Sequence, residues 1–341
     1  MEAPFGAVVL VGLNAQGKTN LLEAIHYLLH LSTPRSSSDE PLVREGSEAA
    51  YVRGEVETSE GSILVEMEVR ASGANRVQVN RSPIRRKRDL RRRVQSVFFI
   101  PEDLAIVHGG PDERRRFMDE AAYLLWPPKE TARRAYDRAL RQRNRLLKEH
   151  EGAGPPAGLE AWDEELVRHG VEVLAARGEA VERIGPAASD AYAELSGDKL
   201  AVRYQPSVWG QDPAAAFRES LAARRADELA RRTSLVGPHR DELELAVEGR
   251  TARRFASQGE AWAAALCLRL GLAEAVSREK GEAPVLLLDD PFSGVDPERR
   301  RRLAGLLADD MQTFLAVPDE AQVPAGAAVW EVADGSVTFR R

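Results

Sequence analysis

Gly12-Leu-Asn-Ala-Gln-Gly17-Lys18-Thr19 is a Gly-x4-Gly-Lys-Thr run set between a short apolar stretch, Val8 to Val11, and a segment in which Leu21, Leu22, Ile25, Leu28 and Leu29 recur at helical spacing. Strand, glycine loop and helix in that order predict a phosphate-binding loop in an α/β domain. The glycines let main-chain amides curl around phosphate oxygens, the helix N-terminus favours an anion, Lys18 brings positive charge and the Thr19 hydroxyl suits Mg2+. The candidate ATP cradle is therefore Gly12, Leu13, Asn14, Ala15, Gln16, Gly17, Lys18, Thr19 and Asn20, with Lys18 also a catalytic candidate.

A second apolar run, Val285 to Leu288, empties into Asp289 and Asp290. Acids are common at strand ends, but beside a phosphate loop the pair acquires roles: Asp289 to hold Mg2+ through water, Asp290 to orient or deprotonate an attacking water. About 30 residues earlier, Ser257-Gln258-Gly259-Glu260 opens a helix. The Ser-x-x-Glu spacing is that of a capping box, which explains Ser257 and Glu260 but not Gly259. The segment also occupies the place of an ABC signature, which offers amides to the nucleotide held by an opposite subunit, and the two readings are compatible. Asp296 is likewise open to two readings. It precedes Pro297 as a helix N-cap should, and it stands where ABC ATPases carry the D-loop that links two nucleotide sites.

The 341 residues, 43% of them hydrophobic, can bury a large core and form more than one domain. One cysteine, Cys267, in an apolar run, excludes an internal disulfide and reads as a small core residue. No apolar run is long enough to span a bilayer, so the expectation is a soluble cytoplasmic protein with no membrane partner. The net charge of −6 hides a strongly basic stretch: Arg81 to Arg93 holds eight cationic side chains against Asp89 alone. DNA binding, if it occurs, must be local. Arg85, Arg86, Arg92 and Arg93 are the candidate phosphate contacts, against the plainer reading of a solvated loop.

Residues 50 to 80 alternate around turn residues and predict antiparallel hairpins, and Val97 to Ile100 reads as a strand stopped by Pro101. From Pro111 to Arg232 the pattern turns helical, broken by a Gly/Pro loop at 152 to 158. After Leu235 the α/β pattern returns. The expected organisation is an ATPase domain (1–110 and 233–341) split by a helical lobe (111–232).

Several motifs resemble the RecF family of SMC-like ABC ATPases. They are the P-loop continuing as Asn14-Ala-Gln-Gly-Lys-Thr-Asn-Leu-Leu-Glu23-Ala24, Pro101-Glu-Asp103-Leu, the arginine pair Arg114-Arg115 after Pro111, and Gly237-Pro-His-Arg-Asp241, in the family's order along the whole chain. The resemblance implies an α/β ABC-type head with an inserted helical lobe. It also implies a homodimer formed on ATP, with each nucleotide between the P-loop of one subunit and Ser257 to Glu260 of the other, and slow, DNA-dependent hydrolysis. It further implies double-stranded and gapped or single-stranded DNA as partner, with RecR and, through it, RecO and RecA. The chain departs from the family in beginning almost at the P-loop strand and in placing Gln258 and Glu260 where Arg and Gln are usual. After Thr313 to Val317 it also carries Pro318 with no His or Thr, which predicts weak hydrolysis. A transporter subunit is disfavoured by Ala256-Ser-Gln-Gly-Glu260 in place of Leu-Ser-Gly-Gly-Gln, and a full-length SMC protein by the short helical insertion. A DNA- or partner-binding scaffold that does not hydrolyse ATP stays open.

Overall fold

The computed structural model describes residues 2–35, 38–84, 87–91, 93–152, 154–293, 296–307 and 311–340. β1 (Ala7–Val11) and α1 (Lys18–His30) are followed by β2 (Ala49–Thr58), β3 (Gly61–Arg70), β4 (Arg76–Val79), β5 (Ser82–Pro83), the short helix α2 (Lys87–Arg91) and β6 (Ser96–Phe99). Next come α3 (Leu104–His108), α4 (Pro111–Leu125), α5 (Glu130–Glu149), α6 (Leu159–Ser196), β7 (Leu200–Gln205), α7 (Pro213–Arg231), β8 (Glu242–Val247), β9 (Arg250–Thr251), α8 (Ala252–Phe255) and α9 (Gln258–Lys280). β10 (Val285–Asp289), α10 (Pro297–Leu306), β11 (Thr313–Val317), β12 (Ala328–Ala333) and β13 (Ser336–Arg340) complete the order. The contacts divide the chain into one compact unit of residues 1–103, 190–197 and 265–341, and a second of 104–189 and 198–264.

In the first unit a six-stranded sheet runs β13-β12-β1-β11-β10-β6. Every pair is parallel except β12 with β13. Strands buried on both faces need continuous apolar sequence, and β1, β10 and β11 have it: Val8, Leu10, Leu287, Phe314 and Ala316 share one cluster with Leu22 of α1 and Trp330 of β12. A second cluster joins Tyr27, Leu28, Leu29 and Leu31 to Ile63, Val65, Met67 and Val69, the inward face of the antiparallel sheet β2-β3-β4-β5. The alternation read over 50 to 80 is thus a sheet lying on α1. Cys267 is fully buried, and burial pushes its thiol above the ordinary value.

The second unit gathers α5, α6 and α7 around Tyr136, Ala139, Leu166, Val173, Phe217 and Val236, and holds the sheet β7-β8-β9. β7 pairs antiparallel with β8, from Leu200 opposite Val247 to Gln205 opposite Glu242. That pairing carries residues 233 to 264 into the same unit as the helices, whereas the sequence segmentation groups them with the C-terminal ATPase part. Two arginines are buried here with carboxylates. Arg143 donates to Asp163 at 2.7 Å, Glu228 at 2.5 Å and Ser234 at 2.7 Å. Arg177 donates to Asp119 at 2.8 Å, Asp241 at 2.9 Å and the Pro238 carbonyl at 2.6 Å. Burial alone would lower the Arg177 pKa; Asp119 and Asp241 more than offset it, so the guanidinium stays charged.

Candidate nucleotide-binding site

β11 lies between β1 and β10, with Val11 opposite Val317 and Asp289 opposite Ala316. The C-terminal ends of the three strands therefore form one edge, and β1 stands two strand spacings, roughly 10 Å, from β10. The loop from Gly12 to Gly17 leaves β1 at this edge. A Cβ on Gly12 would sit 2.2 Å from the Val332 carbonyl oxygen of β12, so only glycine fits. Ala15 (φ 65°) and Gly17 (φ 102°) both take left-handed backbone, the alternation that turns successive amides inward to make an anion cradle.

The Lys18 ammonium donates to the carbonyls of Gly12 at 2.6 Å and Leu13 at 2.9 Å, bridging the loop. Burial lowers its pKa, while Asp289 and Asp290 work in the opposite direction. The Thr19 hydroxyl meets both carboxylate oxygens of Asp289, at 3.1 and 2.9 Å. Burial raises the Asp289 pKa, the Thr19 hydrogen bond counters it, and Asp290 adds to the rise. Asp290 does not simply continue the strand. Its backbone is left-handed at φ 47°, held by its N–H to the Ala316 carbonyl at 3.0 Å, and its Oδ1 is buried with no hydrogen-bond partner among the described residues. A strained backbone carrying an unsatisfied buried carboxylate oxygen costs on the order of 1–3 kcal/mol for each feature, a cost typical of functional sites.

The P-loop has a support that sequence reasoning missed. Gln16 accepts at its side-chain oxygen from the Asp334 N–H at 2.7 Å, and its carbonyl accepts from the Gly335 N–H at 3.1 Å. Asp334 and Gly335 form the tight turn of the β12–β13 hairpin. The Asp-Gly pair flanked by alternating apolar residues was the available signal. Pro318, Asp319 and Glu331 line a groove of about 540 Å³ alongside Gly12, Leu13 and Gln16.

In the second unit, Ser257 to Glu260 form the capping box: the Ser257 N–H donates to Glu260 Oε2 at 2.7 Å and the Glu260 N–H to Ser257 Oγ at 3.3 Å. Ser257 and Gln258 are exposed, Gly259 and Glu260 half-buried. In the first unit, Asp296 caps α10 by accepting from the N–H groups of Glu298 and Arg299, both at 3.0 Å, which holds its carboxyl below the ordinary value. Both capping readings are thus realised. Of the four candidate DNA contacts, Arg85, Arg86 and Arg92 lie outside the described residues; Arg93 is exposed.

The motifs beyond the nucleotide loop turn out to be brackets. Asp103 takes a bidentate pair from Arg269, at 2.9 and 2.7 Å, and the Ile100 N–H at 3.1 Å. Arg114 grips Glu242 at 2.5 and 2.8 Å, and Arg115 donates to the Asp241 carbonyl at 2.8 Å. His239 is neutral, its pKa brought down to about 4 by burial; its Nε2 donates to the Ser234 carbonyl at 3.1 Å and its Nδ1 accepts from the Tyr136 hydroxyl at 2.6 Å.

A family model described as "AAA domain, putative AbiEii toxin, Type IV TA system" matches residues 7–323. Proteins called DNA replication and repair protein RecF are similar over nearly the whole chain: that of Frankia alni is 42% identical across 94% of this chain and 89% of its own. The Streptomyces avermitilis protein is 41% identical across 99% and 95%. The chain belongs to the RecF family. A solved structure of the recombination mediator protein RecF with ATP, in the RecFOR pathway, superposes with a TM-score of 0.89 at 30% identity, covering 100% of this chain and 93% of that one. An Smc head domain bound to a winged-helix domain of ScpA, 16% identical with a TM-score of 0.57, shares the fold. The RecF and SMC likenesses agree on the fold of an ABC-type ATPase head, which the P-loop and the two-acid strand fit. Among the described residues, no helix is long and apolar enough to cross a membrane.

Proposed function

We propose that this RecF-family protein is an ATP-controlled DNA clamp of recombinational repair, which dimerises when it binds ATP. The observation that carries the reading is the Thr19–Asp289 contact at 2.9 Å beside a loop whose left-handed Ala15 and Gly17 turn amides inward. A hydroxyl and a carboxylate converging at the mouth of an anion cradle fit a hard cation with oxygen ligands, so Thr19 and Asp289 would hold Mg2+. When bound, that ion neutralises phosphate charge. Gly12 to Asn20 cradle the phosphates, Lys18 exchanges its carbonyl partners for phosphate oxygens, and Asp290 uses its unpartnered Oδ1 to orient water or take its proton.

Ser257 to Glu260 then complete the site of a second copy, with Asp296 linking the two sites. A capped helix start with an exposed Ser257 supports this, because the N-terminus of a helix is a favourable place for a phosphate. Double-stranded and gapped DNA, and RecR with RecO and RecA, are the partners that family membership supports, in the cytoplasm. A second reading, a scaffold that binds ATP and DNA without turnover, is favoured by Pro318 and Asp319 following β11, where a His or Thr would sense the γ-phosphate.

Sedimentation of the protein and of its Lys18→Met and Asp290→Asn variants, with and without ATP, tests the clamp. ATP is expected to dimerise the unmodified protein and not Lys18→Met, while Asp290→Asn binds nucleotide and stays dimeric longer. Equal dimerisation of Lys18→Met would sink the clamp reading, and equal ATP turnover with and without DNA at the buffer level would favour the scaffold.

A further inference from the structure

α5 is a basic rail. Ala132, Tyr136, Ala139, Arg143 and Leu147 are its buried positions, at the spacing that turns one helix face to the core of the second unit. Opposite them Arg134, Arg138, Arg141, Arg145 and Lys148 are all exposed. Their separations of four, three, four and three residues put them on one stripe about 80° wide and roughly 21 Å long.

A solvated helix face ordinarily mixes signs through i,i+4 pairs. α6 does so, with an acidic excess: between 159 and 189 its exposed charged residues are Glu160, Glu164, Arg168, Glu172, Glu179, Glu182 and Arg183. On α5 two acids, Glu130 and Glu149, sit at the ends, and the third, half-buried Asp137, lies beside the stripe and pairs with Arg133, which is not one of its members. Half-buried Glu130 pairs with exposed Arg134 at 2.6 Å, and Glu149 pairs with Arg145 at 2.8 Å, the latter an exposed surface pair worth under about 1 kcal/mol and readily exchanged. Arg138, Arg141 and Lys148 make no ion pair among the described residues. The basic surface also extends sideways. Asn144, one turn from both Arg141 and Lys148, accepts from the Ser234 N–H at 2.7 Å, and exposed Arg231 and Arg232 lie just before Ser234.

We propose that the α5 stripe is a track for the phosphate backbone of duplex DNA. In a chain of net charge −6, a straight run of like cations with few acids between them is complementary to a polyanion. Its length spans about six base-pair rises of 3.4 Å. The stripe has no aromatic side chain on which unpaired bases could stack, which selects a backbone-reading, sequence-independent contact over single-strand recognition. The proposal rests on the reading of the protein as a DNA clamp and gives that clamp a contact surface separate from the Arg81 to Arg93 stretch.

The test uses the full chain with Arg138→Gln, Arg141→Gln and Lys148→Gln combined, changes that keep helix-forming residues and break no ion pair. Binding to a duplex is measured across a salt series in the presence of ATP, with binding of a fluorescent ATP analogue and the urea midpoint as controls. The expected result is a salt slope smaller by about 2–3 and an affinity about tenfold or more weaker at 0.1 M salt. ATP-analogue binding and the urea midpoint stay unchanged, and Arg168→Gln with Arg183→Gln leaves the slope alone. An unchanged slope in the triple variant, with the unmodified protein binding duplex, overturns the track and leaves the clamp standing. Failure of the unmodified protein to bind duplex at any salt overturns both, and selective loss of single-strand binding alone overturns the choice of duplex.

Discussion

Arg91 donates its Nε–H to the main-chain carbonyl of His30 at 3.0 Å, and a second guanidinium nitrogen donates to the Ser32 hydroxyl at 3.1 Å. An arginine from the most basic stretch of the sequence thus closes the C-terminal end of the helix that begins at Lys18. Positive charge at that end also suits the helix dipole. Arg91→Ala is expected to cost about 1–2 kcal/mol of stability in urea unfolding, and exposed Arg93→Ala about 0.5 kcal/mol or less. Equal losses would show that Arg91 is no more anchored than its neighbour.

Gly12→Ala should damage the site more than its size suggests. The added methyl would meet the Val332 carbonyl oxygen at 2.2 Å, and backbone must move to relieve it. We expect a loss of about 2 kcal/mol or more in unfolding free energy and at least a tenfold drop in ATP-analogue binding. Native-like binding would mean that β12 yields easily.

Acid should destabilise the protein through its buried histidines. His26 and His30 stack at 4.4 Å; Ser96 Oγ lies 3.0 Å from His26 Nδ1, and the Ser96 N–H donates to His30 Nε2 at 3.0 Å. Burial brings the His26 pKa down to about 3 and that of His239 to about 4, from 6.5. The unfolded chain therefore binds protons that the native state refuses. Stability is fully present above about pH 6.5 and falls as pH drops toward 4, by about 1.4 kcal/mol per unit for each such histidine. Urea midpoints between pH 7.5 and 5 measure this, and His26→Gln should flatten the profile. An equally steep profile in that variant would rule His26 out as a contributor.

Arg177→Leu should be severe. It leaves buried Asp241 without its cation and half-buried Asp119 with Arg133 alone, a change worth about 3–5 kcal/mol. The double variant Arg177→Leu with Asp241→Asn should recover part of that loss, because fewer charges are left stranded. No recovery would show that Asp241 is held by Tyr204 and the Ser207 N–H alone.

The nucleotide loop, its flanking strand and helix, and the strand ending at Asp289 were legible because apolar runs and glycine spacing are local signals. Thr313–Val317 was legible for the same reason. β7 was hidden inside a helical composition, since Leu200 to Gln205 becomes a strand only by pairing with β8. β12 and β13 were missed although Asp334-Gly335 marks their turn. The left-handed backbone of Asp290 left no trace in composition. Nor did the use of Arg91 as a helix clamp, which depends on a residue 61 positions away.

β1, the strand that launches the nucleotide loop, is flanked by β11 and β12, with Ala7 opposite Thr313 and Val8 opposite Ala328. Both neighbours are translated about three hundred residues after it. During synthesis β1 waits without either neighbour until β11 and β12 have been made, so a product cut short before Thr313 lacks both partners of the strand that launches the nucleotide loop. ATP binding in this architecture therefore depends on strands about three hundred residues apart: the strand that carries the nucleotide loop has both its neighbours only once β11 and β12 have paired with it.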